Sequence, residues 1–155
     1  MIELTQTTRE DLESLFVFQS NAEGIWMAAF TAQNPTDKDF YMNKWSQIIA
    51  NPDISMQTIR LNNQIVGSVI HFDMMGKTHV SYWIDRPYWG KGIATQGLQL
   101  FIAGVAKRPL YGHTAYDNVG SQRVLQKCGF TLIAKEKGFA NARNMEIEEF
   151  VYQLL

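Results

Sequence analysis

The chain has a single cysteine, Cys128, only four prolines, and no excess of either charge: fourteen Lys and Arg stand against fifteen Asp and Glu in 155 residues. One cysteine excludes an internal disulfide and a cysteine-rich zinc site. The three histidines lack HxxxH or similar ligand spacing, so no metal site is expected. A net charge of −1 removes the basic footprint of a nucleic-acid binder. It also removes any electrostatic pull toward anionic lipid. No apolar run approaches the roughly 18 residues that a membrane span needs. The opening MIELTQTTREDLE carries acids where a secretory leader has a basic end and an apolar stretch. These absences set the expectation of a soluble, cytoplasmic protein.

What is present points to a packed core. The apolar share is 46% and the aromatic share 12%, too rich for disorder. A chain this long buries about 68–70% of its unfolded surface without needing staples. There is no internal repeat, linker or low-complexity tract, and Pro and Gly are scattered singly as turns place them. One domain over 1–155 is expected.

Local patterns predict the elements. Ile2 and Leu4 alternate with polar residues, as in a strand. Thr8 with Asp11 resembles a capping box, and Leu12, Leu15 and Phe16 continue at helical spacing to about 21. Thr36 with Asp39 repeats the start signal, and Phe40, Trp45, Ile48 and Ile49 form the apolar face of a second helix ending near Asn51-Pro52. Residues 54–61 and 64–75 are β-rich around Asn62-Asn63, a hairpin turn able to take positive φ. Gly76-Lys77 marks the next turn, and 78–85 another strand. A helix starting at Ile93 is stopped by Pro109. Strand 110–116, helix 119–128, strand 130–136 and strand 145–154 complete the chain. Strands joined by helices near the middle imply a parallel pair inside a sheet otherwise built of hairpins, an α/β sandwich with a mixed sheet.

Two segments carry chemistry. Residues 88–95, Tyr-Trp-Gly-Lys-Gly-Ile-Ala-Thr, run from a strand end into a helix start. The first N–H groups of a helix lack partners, and glycines there let the backbone approach a phosphate closely. Lys91 adds a cation. A dinucleotide fingerprint fails because Thr95 stands where its third glycine belongs, and a P-loop at Gly76-Lys77-Thr78 fails because His71 occupies the required glycine position. The second segment is 118–130. Asn118 is placed to cap a helix and Gly129 to end it, with Val124, Leu125 and Cys128 as core. Packing does not require the two polar groups at the helix mouth, Asn118 and Ser121.

Taken together, these segments resemble the GNAT superfamily of acyl-CoA-dependent N-acetyltransferases, and within it the RimJ/RimL type. Tyr82-Trp83-Ile84-Asp85 followed by Tyr88 to Thr95 is similar to the pyrophosphate loop of that group. Asn118-x-x-Ser121-x-Arg123-Val124-Leu125-x-Lys127-x-Gly129-Phe130 is similar to its second motif, and Glu149 to Leu155 to its last strand. Trp89 replaces the Gln or Arg of the general pattern, as is familiar in the RimJ/RimL group, while Gly92 and Ala94 are retained. Gln96 stands where that group has Glu. The tyrosine that many members carry seven residues after the asparagine is Leu125 here, and Ser121 is its natural replacement.

The resemblance implies a largely antiparallel mixed sheet with a splayed parallel pair and helices on both faces. It implies acetyl-CoA as co-substrate and direct attack by a primary amine, a protein N-terminus or a small molecule. The backbone of Trp89, Gly90, Lys91, Gly92, Ile93, Ala94 and Thr95 would hold the pyrophosphate, with Lys127 nearby. The strand edge Trp83, Ile84 and Asp85 would pair with pantetheine, and the Ile84 N–H would stabilise the oxyanion. Ser121 would serve the leaving thiolate and Asn118 would fix pantetheine or a water. The amine needs a base, for which His79, Asp73, Asp85 and Glu136 are candidates; His79, His71 and His113 otherwise read as exposed strand histidines. Trp26, Met27, Phe30, Phe40 and Tyr41 are core or acceptor-groove residues, and Asp37 and Asp39 are solvated helix-start acids or attract a cationic substrate. The lone Cys128 reads as packing rather than as a nucleophile. The resemblance leaves a homodimer open. The alternative reading is a non-catalytic acyl-CoA-binding sensor or interaction module of the same fold.

Overall fold

A computed structural model describes all residues, 1–155. The order is β1 (Ile2–Gln6), α1 (Arg9–Gln19), α2 (Ala22–Ala28), α3 (Lys38–Ala50), β2 (Ser55–Leu61), β3 (Gln64–Met74) and β4 (Lys77–Ile84). After a 3₁₀ turn (Arg86–Tyr88) come α4 (Ile93–Ala103), β5 (Leu110–Ala115), α5 (Val119–Lys127), β6 (Thr131–Ala140) and β7 (Met145–Leu154). The strands form one sheet in the order β1-β2-β3-β4-β5-β7-β6. All neighbours are antiparallel except β4 and β5. The expected mixed sheet with one parallel pair is present. No helix is long and apolar enough to cross a membrane.

Local chemistry explains most ends. Thr8 and Asp11 form the expected capping box of α1, with Thr8 Oγ1 accepting from the Asp11 N–H at 3.3 Å and Asp11 accepting from the Thr8 N–H at 3.1 Å. Asp11 replaces the usual Glu because its short carboxylate also meets the sheet, accepting from Thr58 Oγ1 at 2.9 Å and Arg60 at 3.1 Å. The cap of α3 is Asp37, not Thr36: its Oδ1 accepts from the Phe40 N–H at 3.1 Å. The β3–β4 turn places Met75 and Gly76 at positive φ. Asp85 lies just beyond β4 and leads the 3₁₀ turn, and α4 ends at Gly104, before Pro109 acts. β6 runs on to Ala140, four residues past its expected end.

Helix α2 was not expected. Its seven residues hold a glycine in the interior, which costs helix propensity. The glycine serves packing: a Cβ at Gly24 would lie 2.9 Å from Trp83 Cζ2, so α2 sits directly on the Trp83 indole. Asn21 caps it by accepting from the Gly24 N–H at 2.8 Å.

Alternation along the strands sorts side chains onto two faces. On one face Ile59, Val66, Val80, Ile84, Leu110 and Tyr152 pack with α4 and α5 through Leu98, Phe101, Ile102 and Leu125, and with Phe130 just after α5. On the other, Met56 and Ile70 pack with α1 and α3 through Leu12, Leu15 and Tyr41, and with Phe16, Trp45 and Phe72 around them.

Candidate active site

Strands β4 and β5 pair only at Thr78↔Leu110 and His79↔Tyr111. Beyond that point they separate, while β3 follows β4 to Ile84 and β7 follows β5 to Ala115. The result is a wedge between Val80–Ile84 and Gly112–Ala115, opening into a cavity of about 540 Å³. The Asp85 N–H donates to Val66 O at 2.9 Å. Opposed Gly67 and Ile84 are therefore a non-hydrogen-bonded pair, and the Ile84 peptide groups face away from β3, toward the wedge. The Ile84 carbonyl is already taken by the Trp89 indole N–H at 2.8 Å. Trp89 thus braces the strand end.

On the α4–α5 face, the loop before α4 turns through Gly90 and Gly92, at φ +75° and +77°. Glycine takes that conformation at no steric cost. No side chain caps α4, so its first N–H groups stay free for an anion. Lys91 Nζ lies 5.5 Å from the Tyr88 ring. Asn118 caps α5, its Oδ1 accepting from the Ser121 N–H at 3.2 Å while its Nδ2 donates to Met27 O at 3.3 Å. Both ends of that amide are engaged by protein. Ser121 Oγ lies 2.5 Å from Tyr82 Oη, which also reaches Ser121 O at 3.1 Å. Burial holds the Tyr82 hydroxyl well above the ordinary tyrosine pKa, outweighing the opposing hydrogen bond from Ser121, so it stays protonated.

On the α1–α3 face, His79 is 6% exposed. This corrects its expected place as an exposed strand residue. It stacks on Phe72 at 5.7 Å and lies 5.1 Å from the His113 ring. Burial, followed by the neighbouring His113 charge, holds its pKa below the ordinary histidine value, so it is neutral near pH 7. His113 Nδ1 lies 3.5 Å from Glu149 Oε1. The three residues come from β4, β5 and β7, and all line the cavity.

The structure separates the remaining candidates. Trp83, Asn118, Ser121, Phe30, Phe40 and Tyr41 line the cavity, as does Leu125. Ile84, Asp85, Trp89, the 90–95 loop and Lys127 lie outside its lining. Of the proposed bases only His79 borders it. Asp73 is exposed and tied to Thr78 at 2.7 Å and Lys107 at 2.9 Å, and Glu136 is an exposed residue of β6. Trp26 is half exposed and carries Arg143 at 4.8 Å from its ring; Met27 contributes its carbonyl to Asn118. His71 is also not an exposed residue: it is half-buried on the opposite face, 5.7 Å from Phe101. Cys128 is buried, its Sγ 3.6 Å from Thr95 O, and burial pushes its pKa up to about 11. It stays a thiol and ties α4 to α5. Sequence reasoning assigned no role to Tyr82 or Glu149. The signal for Tyr82 was its alternation with Ile84; Glu149 gave none.

The chain matches the acetyltransferase (GNAT) domain over residues 2–131. It therefore belongs to the GNAT family, and its reaction is acetyl transfer from acetyl-CoA. In structure it is similar to RimL, the ribosomal L7/L12 alpha-N-protein acetyltransferase solved with coenzyme A, at 18% identity and TM-score 0.81 over 97% of this chain and 92% of that one. An N-acetyltransferase from Staphylococcus aureus Mu50 superposes at TM-score 0.84, with 18% identity over 99% of this chain and 98% of that one. The microcin C7 self-immunity acetyltransferase MccE, solved with acetyl-CoA and AMP, gives 0.79, with 20% identity over 99% of this chain and 92% of that one. At these identities the likeness is one of fold. No curated protein matches the chain.

Proposed function

We propose that this chain is an N-acetyltransferase in which a primary amine attacks acetyl-CoA directly within a ternary complex. The observation that carries the reading is the wedge itself. Proton-donating groups stand on one face of the sheet and a neutral histidine on the other, with an opened strand edge between them.

The Gly90-Lys91-Gly92 turn and the free N–H groups of Ile93, Ala94 and Thr95 suit a pyrophosphate, whose charge the helix dipole favours. The outward Ile84 N–H is the strand group available to a developing oxyanion. Losing such a donor typically costs about 10²–10³ in rate. Ser121 faces the leaving sulfur. A serine hydroxyl alone is a weak acid, and the Tyr82 hydroxyl in contact with Ser121 Oγ mends this by supplying a proton as the serine proton is drawn to the thiolate. Asn118 positions Ser121 and ties α5 to α2, rather than offering a free amide to pantetheine. His79 is the base, since it is neutral and borders the cavity.

Thermal melts with acetyl-CoA test the binding half. Ligand at 100 times its dissociation constant adds about 2.7 kcal/mol of stability. Mass spectrometry of an amine incubated with protein and acetyl-CoA tests the transfer half. No melt shift at millimolar acetyl-CoA sinks the reading, and a shift without any acetylated amine reduces the chain to an acyl-CoA-binding module.

A further inference from the structure

We propose that the acceptor is a primary amine carrying a single positive charge on an aromatic or otherwise apolar body, selected by Glu149. The inference rests on the transfer reaction above and names the acceptor class for the same cavity.

The argument is one of charge count. Among the residues that line the cavity, Glu149 is the one carboxylate and Lys44 the one permanent cation. The walls on the α1–α3 side carry an aromatic group, Phe30, Phe40, Tyr41, Trp45 and Phe72, among uncharged polar residues such as Gln19 and Asn34. A polyamine or amino sugar brings several ammonium groups. Glu149 can neutralise one; the others would face aromatic walls and Lys44, desolvated and unpaired. An amine with one charge meets no such penalty. Its ammonium pairs with Glu149, and its apolar body covers the aromatic faces. The volume of about 540 Å³ suits a small molecule or the first residue or two of a peptide.

The placement of Glu149 also serves the chemistry. His113 lies 3.5 Å from the carboxylate, and the His79 ring is 5.1 Å farther along the same face. An ammonium held by Glu149 is thus beside the neutral imidazole that takes its first proton. The freed amine forms the N–C bond as the C–S bond breaks. A second proton leaves nitrogen as the amide forms. The sulfur takes one from Ser121, Tyr82 passes its own proton to Ser121 and regains one from solvent, and the two protons lost by nitrogen leave through His79, so that one proton per turnover is released to solvent overall.

The test uses the full chain, acetyl-CoA and a panel of acceptors, with free thiol and acetylated product both measured. Phenethylamine, tryptamine and a tripeptide beginning with Phe carry the proposed chemistry; spermidine and kanamycin carry several charges. The expected result is a kcat/KM about 100-fold higher for the best apolar monoamine than for either polycation. The small amines against the peptide then show which source supplies the acceptor. Glu149→Gln is expected to raise KM for that acceptor about tenfold while the acetyl-CoA melt shift is kept. Phe40→Ala, at a half-exposed position, is expected to raise KM for tryptamine more than for methylamine. The proposal is overturned if spermidine or kanamycin is the better acceptor, or if neither variant moves KM. It is also overturned if no apolar monoamine is acetylated although acetyl-CoA still raises the melting temperature. Loss of the melt shift itself points instead to failure of the underlying transfer reading, and the acceptor class falls with it.

Discussion

The two faces of the sheet at the wedge are built in opposite ways. The face that suits the coenzyme comes from two short continuous segments, 88–95 and 118–130, each a turn running into a helix start. The face that suits the acceptor is gathered from β3, β4, β5, β7 and the α1–α3 region, with its polar groups on three separate strands. Phosphate recognition needs backbone N–H groups from a single helix end, so it can be local. A pocket that fits a side group, a charge and a base together needs walls from several directions. On the proposed reading, the common reaction rests on local structure and acceptor choice on tertiary structure.

Substitutions on either face test that division. The largest effect is expected from His79→Gln, a fall in kcat of about 10²–10⁴ for the best amine, with acetyl-CoA binding kept. The wild-type rate should also fall on the acid side at a pH below the ordinary histidine value, because only neutral His79 accepts a proton and burial lowers its pKa. The variant should lose that limb. Stability follows the same sign: protonation favours the unfolded chain, so His79 contributes a loss of stability as pH falls below the ordinary histidine value.

Ser121→Ala is next, with an expected loss of about 10² in kcat and an unchanged acetyl-CoA dissociation constant. A changed dissociation constant with unchanged kcat would move Ser121 from chemistry to binding. Gly92→Val forces a branched residue to φ +77°, at roughly 1–2 kcal/mol. The acetyl-CoA dissociation constant should rise about tenfold while the acceptor KM stays put. If the acceptor KM rises instead, the two faces are not separable. The smallest effect is expected from Tyr82→Phe, about five- to tenfold in kcat, the value of one partly buried hydrogen bond. Combined with Ser121→Ala it should add little further loss, since the two groups act in series.

How much could be read beforehand follows from the same physics. The capping box at Thr8 and Asp11, the Asn62-Asn63 turn, the Gly90-Lys91-Gly92 turn and the span of β7 were all legible, because each depends on residues close in sequence. Helix α2 was not, because Gly24 lowers its propensity and only the Trp83 indole explains the glycine. The cap of α3 slipped from Thr36 to Asp37, since both residues can cap and only the fold chooses. His79 read as an exposed strand residue because alternation gives a face but not what covers it. Glu149 was silent: it reaches His113 through β5–β7 pairing, and the two residues lie far apart in the chain.

The sequence by itself pointed to the kind of reaction, through a glycine turn suited to phosphate and a serine-bearing helix mouth whose geometry is local. Tertiary structure alone decided where β4 and β5 part, that Tyr82 stands behind Ser121, and that His79, His113 and Glu149 share one wall. Those relations are set by strand pairing and burial across the whole sheet. No short window of residues contains the distances that define them.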